Sequence, residues 1–222
     1  MKKLFAFIAL TSMALLSAQD WHQGQKYQSD NARILREKTP VQVVFMGNSI
    51  TQGWADMRPE FFEDHGFVGR GIGGQTTPQM LLRLRQDVLE LKPKAVVILA
   101  GINDIAQNTG PITLTETLGN IQSMAELALA HGITPVICSV LPANSFPWRP
   151  EIIPTQQVID LNRQLHQWTV EKNLVFVDFY TPMVDEQLGL KTPLGYDPVH
   201  PNVAGYQVME PILLEALSPL LR

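Results

Sequence analysis

The stretch Val41-Gln42-Val43-Val44-Phe45-Met46-Gly47-Asn48-Ser49-Ile50-Thr51 runs from a β-rich apolar segment, Val41 to Met46, onto a glycine and a polar Asn-Ser pair. Four further apolar runs share its character: Gly66 to Arg70, Ala95 to Ala100, Thr134 to Val140 and Leu174 to Asp178. Helical patterns alternate with them, which is the signature of βαβ units around a parallel sheet. Five strands suggest one doubly wound α/β domain. The spacing predicts a helix from Thr77-Pro78, with a capping hydroxyl, a first-turn proline and a stripe of Met80, Leu81, Leu84, Val88 and Leu91. Thr113 and Glu116 form a capping box for a second, ending at His131 before Gly132. Pro154-Thr155 opens a third and Pro201-Asn202 a last one, which ends near Leu217. The segment Pro142 to Pro154 reads as a loop, because βα structure resumes after it.

Lys2-Lys3, an apolar run from Leu4 to Leu16 and the exit Ser17-Ala18-Gln19 read as a signal peptide over 1–18, cleaved after Ala18. The run is too short to span a bilayer, so no stable membrane anchor is expected, and the mature protein is expected to be exported to a periplasm or secreted. Residues 19–39 form a lead-in and 40–222 the domain. The single cysteine, Cys138, lies inside an apolar run, so no internal disulfide forms, and it reads as a small buried hydrophobe. The formal charge is −4 and becomes more negative once Lys2 and Lys3 leave, which implies no basic face for nucleic acid.

In a doubly wound sheet the ligand crevice lies beyond the carboxyl ends of the strands. Four segments fall there: Ser49; Gly71-Ile72-Gly73-Gly74-Gln75-Thr76-Thr77; Gly101-Ile102-Asn103-Asp104; and the late pair Asp197 and His200. Alone, Ser49 would cap a helix, Asn103 would be a turn residue and His200 a surface histidine. Together they hold an acid, a base and a hydroxyl, the parts that make a serine nucleophilic at neutral pH. Gly69-x-Gly71-x-x-Gly74 matches a dinucleotide fingerprint, but the next strand ends in Gly101-Ile102-Asn103 with no ribose-binding acid, so no cofactor is expected. The glycines instead let a backbone N–H approach a developing oxyanion, which a side chain at Gly74 would obstruct. The five histidines show no ligand spacing, so no metal is expected.

The blocks Gly47-Asn48-Ser49-Ile50-Thr51, Gly71 to Thr77, Gly101-Ile102-Asn103-Asp104-Ile105 and Asp197-Pro198-Val199-His200-Pro201 resemble, in order and spacing, the four blocks of the SGNH or GDSL hydrolases. The resemblance covers about residues 40 to 218 and implies a flavodoxin-like three-layer α/β/α sandwich with a five-stranded parallel sheet. It implies Ser49 as nucleophile, His200 as base, Asp197 as the acid orienting it, and an oxyanion hole of the Ser49 and Gly74 N–H groups and the Asn103 amide. The serine sits in Gly-x-Ser-x-Thr, not the Gly-x-Ser-x-Gly of the nucleophile elbow. Asn48 stands where the family has aspartate; the change removes a charge beside the serine and keeps a hydrogen-bonding carbonyl. Gly69 stands near where relatives often carry asparagine.

The implied activity is hydrolysis of short acyl esters, acetyl first, and the glycine block and Asp-Pro-Val-His resemble the platelet-activating-factor acetylhydrolase-like branch. Trp54 and Trp148 flank the site in sequence and are candidate substrate-binding residues, suited to stacking on sugar rings, which makes a carbohydrate ester or other small ester the expected partner; either could instead pack in the core. Trp54 and the Phe146-Pro147-Trp148 loop are expected to close a pocket that excludes long chains. The alternatives are a lysophospholipase, lipase or thioesterase, and, from another class, a non-catalytic carbohydrate-binding protein on a hydrolase fold.

Overall fold

The computed structural model describes residues 20–221, so the expected leader lies outside the described residues. At its centre five parallel strands stand in the order β2-β1-β3-β4-β5: β1 Val43–Gly47, β2 Phe67–Gly71, β3 Ala95–Leu99, β4 Thr134–Cys138 and β5 Val175–Val177. Every residue of β1 and β3 is buried, as in sheets covered on both faces. Strand ends differ from the sequence expectation where side chains or helices capture the backbone. β4 stops before Val140 because Asn162 takes both its groups, accepting from Val140 N–H at 2.7 Å and donating to its carbonyl at 2.9 Å. β5 begins after Leu174 because the Leu174 N–H donates to Thr169 O at the end of the preceding helix.

The helices are α1 Gln28–Glu37, α2 Ser49–Met57, α3 Pro59–His65, α4 Thr77–Asp87, α5 Ile102–Ile105, α6 Leu114–Ala130, α7 Thr155–Glu171, α8 Tyr180–Met183 and α9 Val203–Leu217. On one face α2, α3 and α9 meet over β1, where Trp54 of α2 stacks on Tyr206 of α9 and meets Phe45 edge-on. The other face carries α4, α6 and α7, with α1 beside α4. The Thr113–Glu116 box starts α6 as expected. On α4 the cap is Thr76, with Gln79 as its reciprocal partner, one residue before the expected position; the Thr77 hydroxyl is committed elsewhere. Sequence reading passed over α1, α2 and α3, and the one-turn helices α5 and α8. α1 is polar and is held by Arg70, whose guanidinium donates to Asn31 and Asp30 rather than by an apolar stripe. α2 contains Gly53, where a Cβ would come within 2.8 Å of the Tyr206 hydroxyl, which donates to Ile50 O.

β1 lies between β2 and β3, and the chain leaves β1 and β3 toward opposite faces. This is the switch point at which doubly wound sheets open a crevice beyond their carboxyl ends. Ser49 follows β1 directly and Asn103 follows β3. Among the described residues no helix is long and apolar enough to cross a membrane.

Candidate active site

Asn48 is the N-cap of α2, its side-chain oxygen accepting from Ile50 N–H at 3.2 Å. The capping duty that an isolated serine would perform is therefore taken, and the Ser49 hydroxyl is free to turn outward. The Ser49 Oγ lies 2.9 Å from His200 Nε2, although the two residues are far apart in the chain. On the far side of the ring, His200 Nδ1 lies 2.8 Å from Asp197 Oδ2. The other oxygen, Asp197 Oδ1, accepts the backbone N–H groups of Val199 and His200, both at 2.8 Å. Burial acts to raise the Asp197 carboxyl, but these two N–H groups and the histidine hold it below the ordinary carboxylate value. An ionised carboxylate there can orient the ring and stabilise an imidazolium, so the series can draw a proton from Ser49.

Ser49 is the first residue of α2, and the first N–H groups of a helix have no intrahelical acceptor. The Gly74 N–H makes no hydrogen bond among the described residues. Asn103 is buried and spends one amide hydrogen on Gln75 O at 2.9 Å, leaving the second. Gly74 adopts φ +76°, and a Cβ there would meet no atom within 4 Å. Glycine suits position 74 for its left-handed backbone, and no protein atom would meet a Cβ there. The close approach occurs at Gly71, where a Cβ would fall 2.1 Å from Gln52 N and 2.6 Å from Thr51 C, backbone atoms of α2. Gly71 is what lets the nucleophile's helix press against β2.

Trp54 does not reach the site. It is 1% exposed, packed among Phe45, Phe61, Phe62, Phe179 and Tyr206, with its indole N–H directed to Glu210. The α2 periodicity turns Trp54 to the face opposite the crevice, so substrate contact is corrected to core packing. Phe146 is buried as well. Trp148 is 40% exposed, its ring centroid 6.0 Å from that of His200, and its indole N–H donates to Asn108 Oδ1. A second aromatic wall, unassigned by sequence reasoning, is Tyr196: 60% exposed and stacked on His200 at 5.5 Å with planes 6° apart. Its signal was its place beside Asp197 in the same loop. A cleft of about 470 Å³ runs from Gly73 and Gly74 to Trp148 and Arg149, and another of about 320 Å³ lies against Tyr196 and Asp197.

Two supporting groups also escaped the sequence reading. Asp104 is buried, accepting the Thr77 N–H at 3.0 Å and the Thr77 hydroxyl at 2.6 Å, and Asn120 donates to that hydroxyl. Burial pushes its pKa up to about 6 against the Thr77 bonds. Arg83 is buried under the site and joins Gly47 O, Gln75 Oε1 and Asp87. Cys138 is buried in β4, and desolvation raises its thiol, which suits a packing role. Among the described residues no acidic, histidine or cysteine cluster could hold a metal ion.

The sequence matches the model of the GDSL-like lipase/acylhydrolase family over residues 45–208. It is 28% identical to Esterase TesA of Pseudomonas aeruginosa over 182 residues, 80% of this chain and 82% of that protein. It is 29% identical to an acetylxylan esterase of Geobacillus stearothermophilus, covering 68% of this chain and 71% of the other. A solved GDSL-like lipase of Bacteroides thetaiotaomicron superposes with a TM-score of 0.86 at 44% identity, over 89% of this chain and 98% of that one. With a matched domain that contains the end of β1 with Ser49, the glycine loop and the Asp197–His200 loop, the chain belongs to the GDSL-like lipase/acylhydrolase family, as a carboxylic ester hydrolase.

Proposed function

We propose that this protein cleaves short acyl esters, acetyl above all, by nucleophilic attack of Ser49, and that its natural substrates are acetylated carbohydrates. The observation that supports the reading most strongly is the unbroken series Ser49 Oγ, His200, Asp197 with both contacts under 3 Å. In this mechanism His200 takes the Ser49 proton as Oγ attacks the ester carbonyl. The Ser49 and Gly74 N–H groups and the free Asn103 amide hydrogen receive the negative charge on the carbonyl oxygen. His200 then protonates the leaving alcohol, and with the acyl group on Ser49 it activates water to release the acid. Two features favour a sugar as the alcohol: two exposed aromatic rings, Trp148 and Tyr196, close to His200, and the similarity to an acetylxylan esterase. The leader expected over residues 1–18 favours an exported site of action.

Ser49→Ala should lower kcat on p-nitrophenyl acetate by several orders of magnitude with the fold intact, and a fluorophosphonate should label Ser49 in the wild type. Undiminished turnover by the variant would sink the mechanism. Along a series of acyl esters kcat/KM should fall steeply from acetyl to octanoyl. Each methylene that found a buried site would instead favour binding by about 0.8 kcal/mol. Activity rising through octanoate would replace the acetyl reading by a lipase or lysophospholipase one.

A further inference from the structure

Gly73 and Gly74 are exposed and carry no side chains of their own to hold them, yet the peptide between them supplies the Gly74 N–H. Its two flanks are gripped from opposite sides. The Gly73 N–H donates to Gln52 Oε1 at 3.0 Å, and the Gly74 carbonyl accepts Asn108 Nδ2 at 3.2 Å. Gln52 lies on α2 one turn after Ser49, so its grip ties the glycine loop to the same short helix that carries the nucleophile. Its oxygen also accepts Lys26 Nζ at 2.8 Å. Lys26 belongs to a segment laid along the loop and α4: Gln75 and Gln79 donate to the carbonyls of His22 and Trp21, and the Tyr27 hydroxyl to Gly71 O. On the other flank Asn108 is oriented by Trp148, whose indole N–H donates to Asn108 Oδ1 at 3.0 Å.

We propose that Gln52 and Asn108 are positioning residues that aim the Gly74 N–H at the developing oxyanion, with Lys26 and Trp148 orienting their amides. Neither side chain needs to touch substrate. Each constrains one neighbour of the peptide plane at the centre of the Ile72–Gln75 turn, which is itself closed by the Gln75 N–H donating to Ile72 O at 3.3 Å, and a donor misplaced by about 1 Å can cost roughly 100-fold in rate. The inference rests on the ester-hydrolase mechanism above and adds to it the residues that hold one donor.

The test compares Gln52→Leu with Gln52→Glu, which keeps an acceptor for both Gly73 and Lys26. Gln52→Leu should lower kcat on p-nitrophenyl acetate by about 10- to 100-fold at nearly constant KM. It should weaken a trifluoromethyl ketone, which binds as a serine-linked oxyanion, by a similar factor. Gln52→Glu should recover most of both losses. Asn108→Asp, which keeps the acceptor for Trp148 but cannot donate to Gly74, should resemble Gln52→Leu. Wild-type kcat in Gln52→Leu, an equal loss in Gln52→Glu, or a loss confined to KM would overturn the proposal. Those outcomes leave the mechanism standing if Ser49→Ala is inactive, whereas an active Ser49→Ala removes the mechanism itself.

Discussion

At the scale of single residues the site divides into groups already committed to partners and groups left free. Asn48 is committed to the α2 backbone and Asp197 to two N–H groups and His200, while the Gly74 N–H and one Asn103 hydrogen have no partner among the described residues. A free donor held by a buried amide meets charge that exists only during reaction. Asn103→Ala should therefore reduce kcat by about 100- to 1000-fold with a modest change in KM. Steady-state kinetics on p-nitrophenyl acetate decide this, and a large KM increase at unchanged kcat would make Asn103 a ground-state binding residue instead. The substitution of Asn48 for the family's aspartate also finds its physical sense at this scale, because the carbonyl oxygen that caps α2 is kept.

Between elements, the decisive link is Asp104, which ties α5, the carrier of Asn103, to the first turn of α4 through Thr77. Burial raises its folded-state pKa to about 6 from the ordinary 3.8, so in that window the folded protein binds a proton that the unfolded chain has released. Stability contributed by this group is thus greatest at low pH and falls as pH rises through the window. Asp104→Asn removes the titration. Urea unfolding of both proteins across about pH 4 to 7 should show the variant gaining on wild type as pH rises. A constant difference would mean that Asp104 titrates alike in both states. The same link explains why the capping hydroxyl of α4 is Thr76, one residue before the expected Thr77, although the helix starts at Thr77 as expected. Thr77 and Thr76 are both good caps, and only the position of Asp104, on another helix, determines which hydroxyl is drawn away.

Across the whole molecule, one face of the sheet is a core of aromatic rings and the crevice lies at its carboxyl edge, so the two tryptophans that flank the site in sequence have opposite duties. Trp54→Ala should destabilise by about 3–5 kcal/mol, the range for removing a large buried ring, while KM of the surviving folded protein stays close to wild type. Trp148→Ala should do the reverse, leaving the denaturation midpoint nearly unchanged while raising KM for acetylated oligosaccharides and, through the loss of its bond to Asn108, lowering kcat. If Trp54→Ala raised KM with little loss of stability, the core assignment would fail. The five strands, their order of alternation with helices, the capping box of α6 and the chemical identity of Ser49, Asp197 and His200 were all legible in the chain, because they depend on local propensity, hydrophobic runs and the residue types that the chemistry demands. Tertiary structure alone decided which way Trp54 and Trp148 face, that Tyr196 stacks on His200, and that Gln52 and Asn108 hold the glycine loop. These depend on where a side chain finds its partner after distant segments pack together, and hydrogen bonds such as Gln52 to Gly73 leave no period or propensity in the sequence.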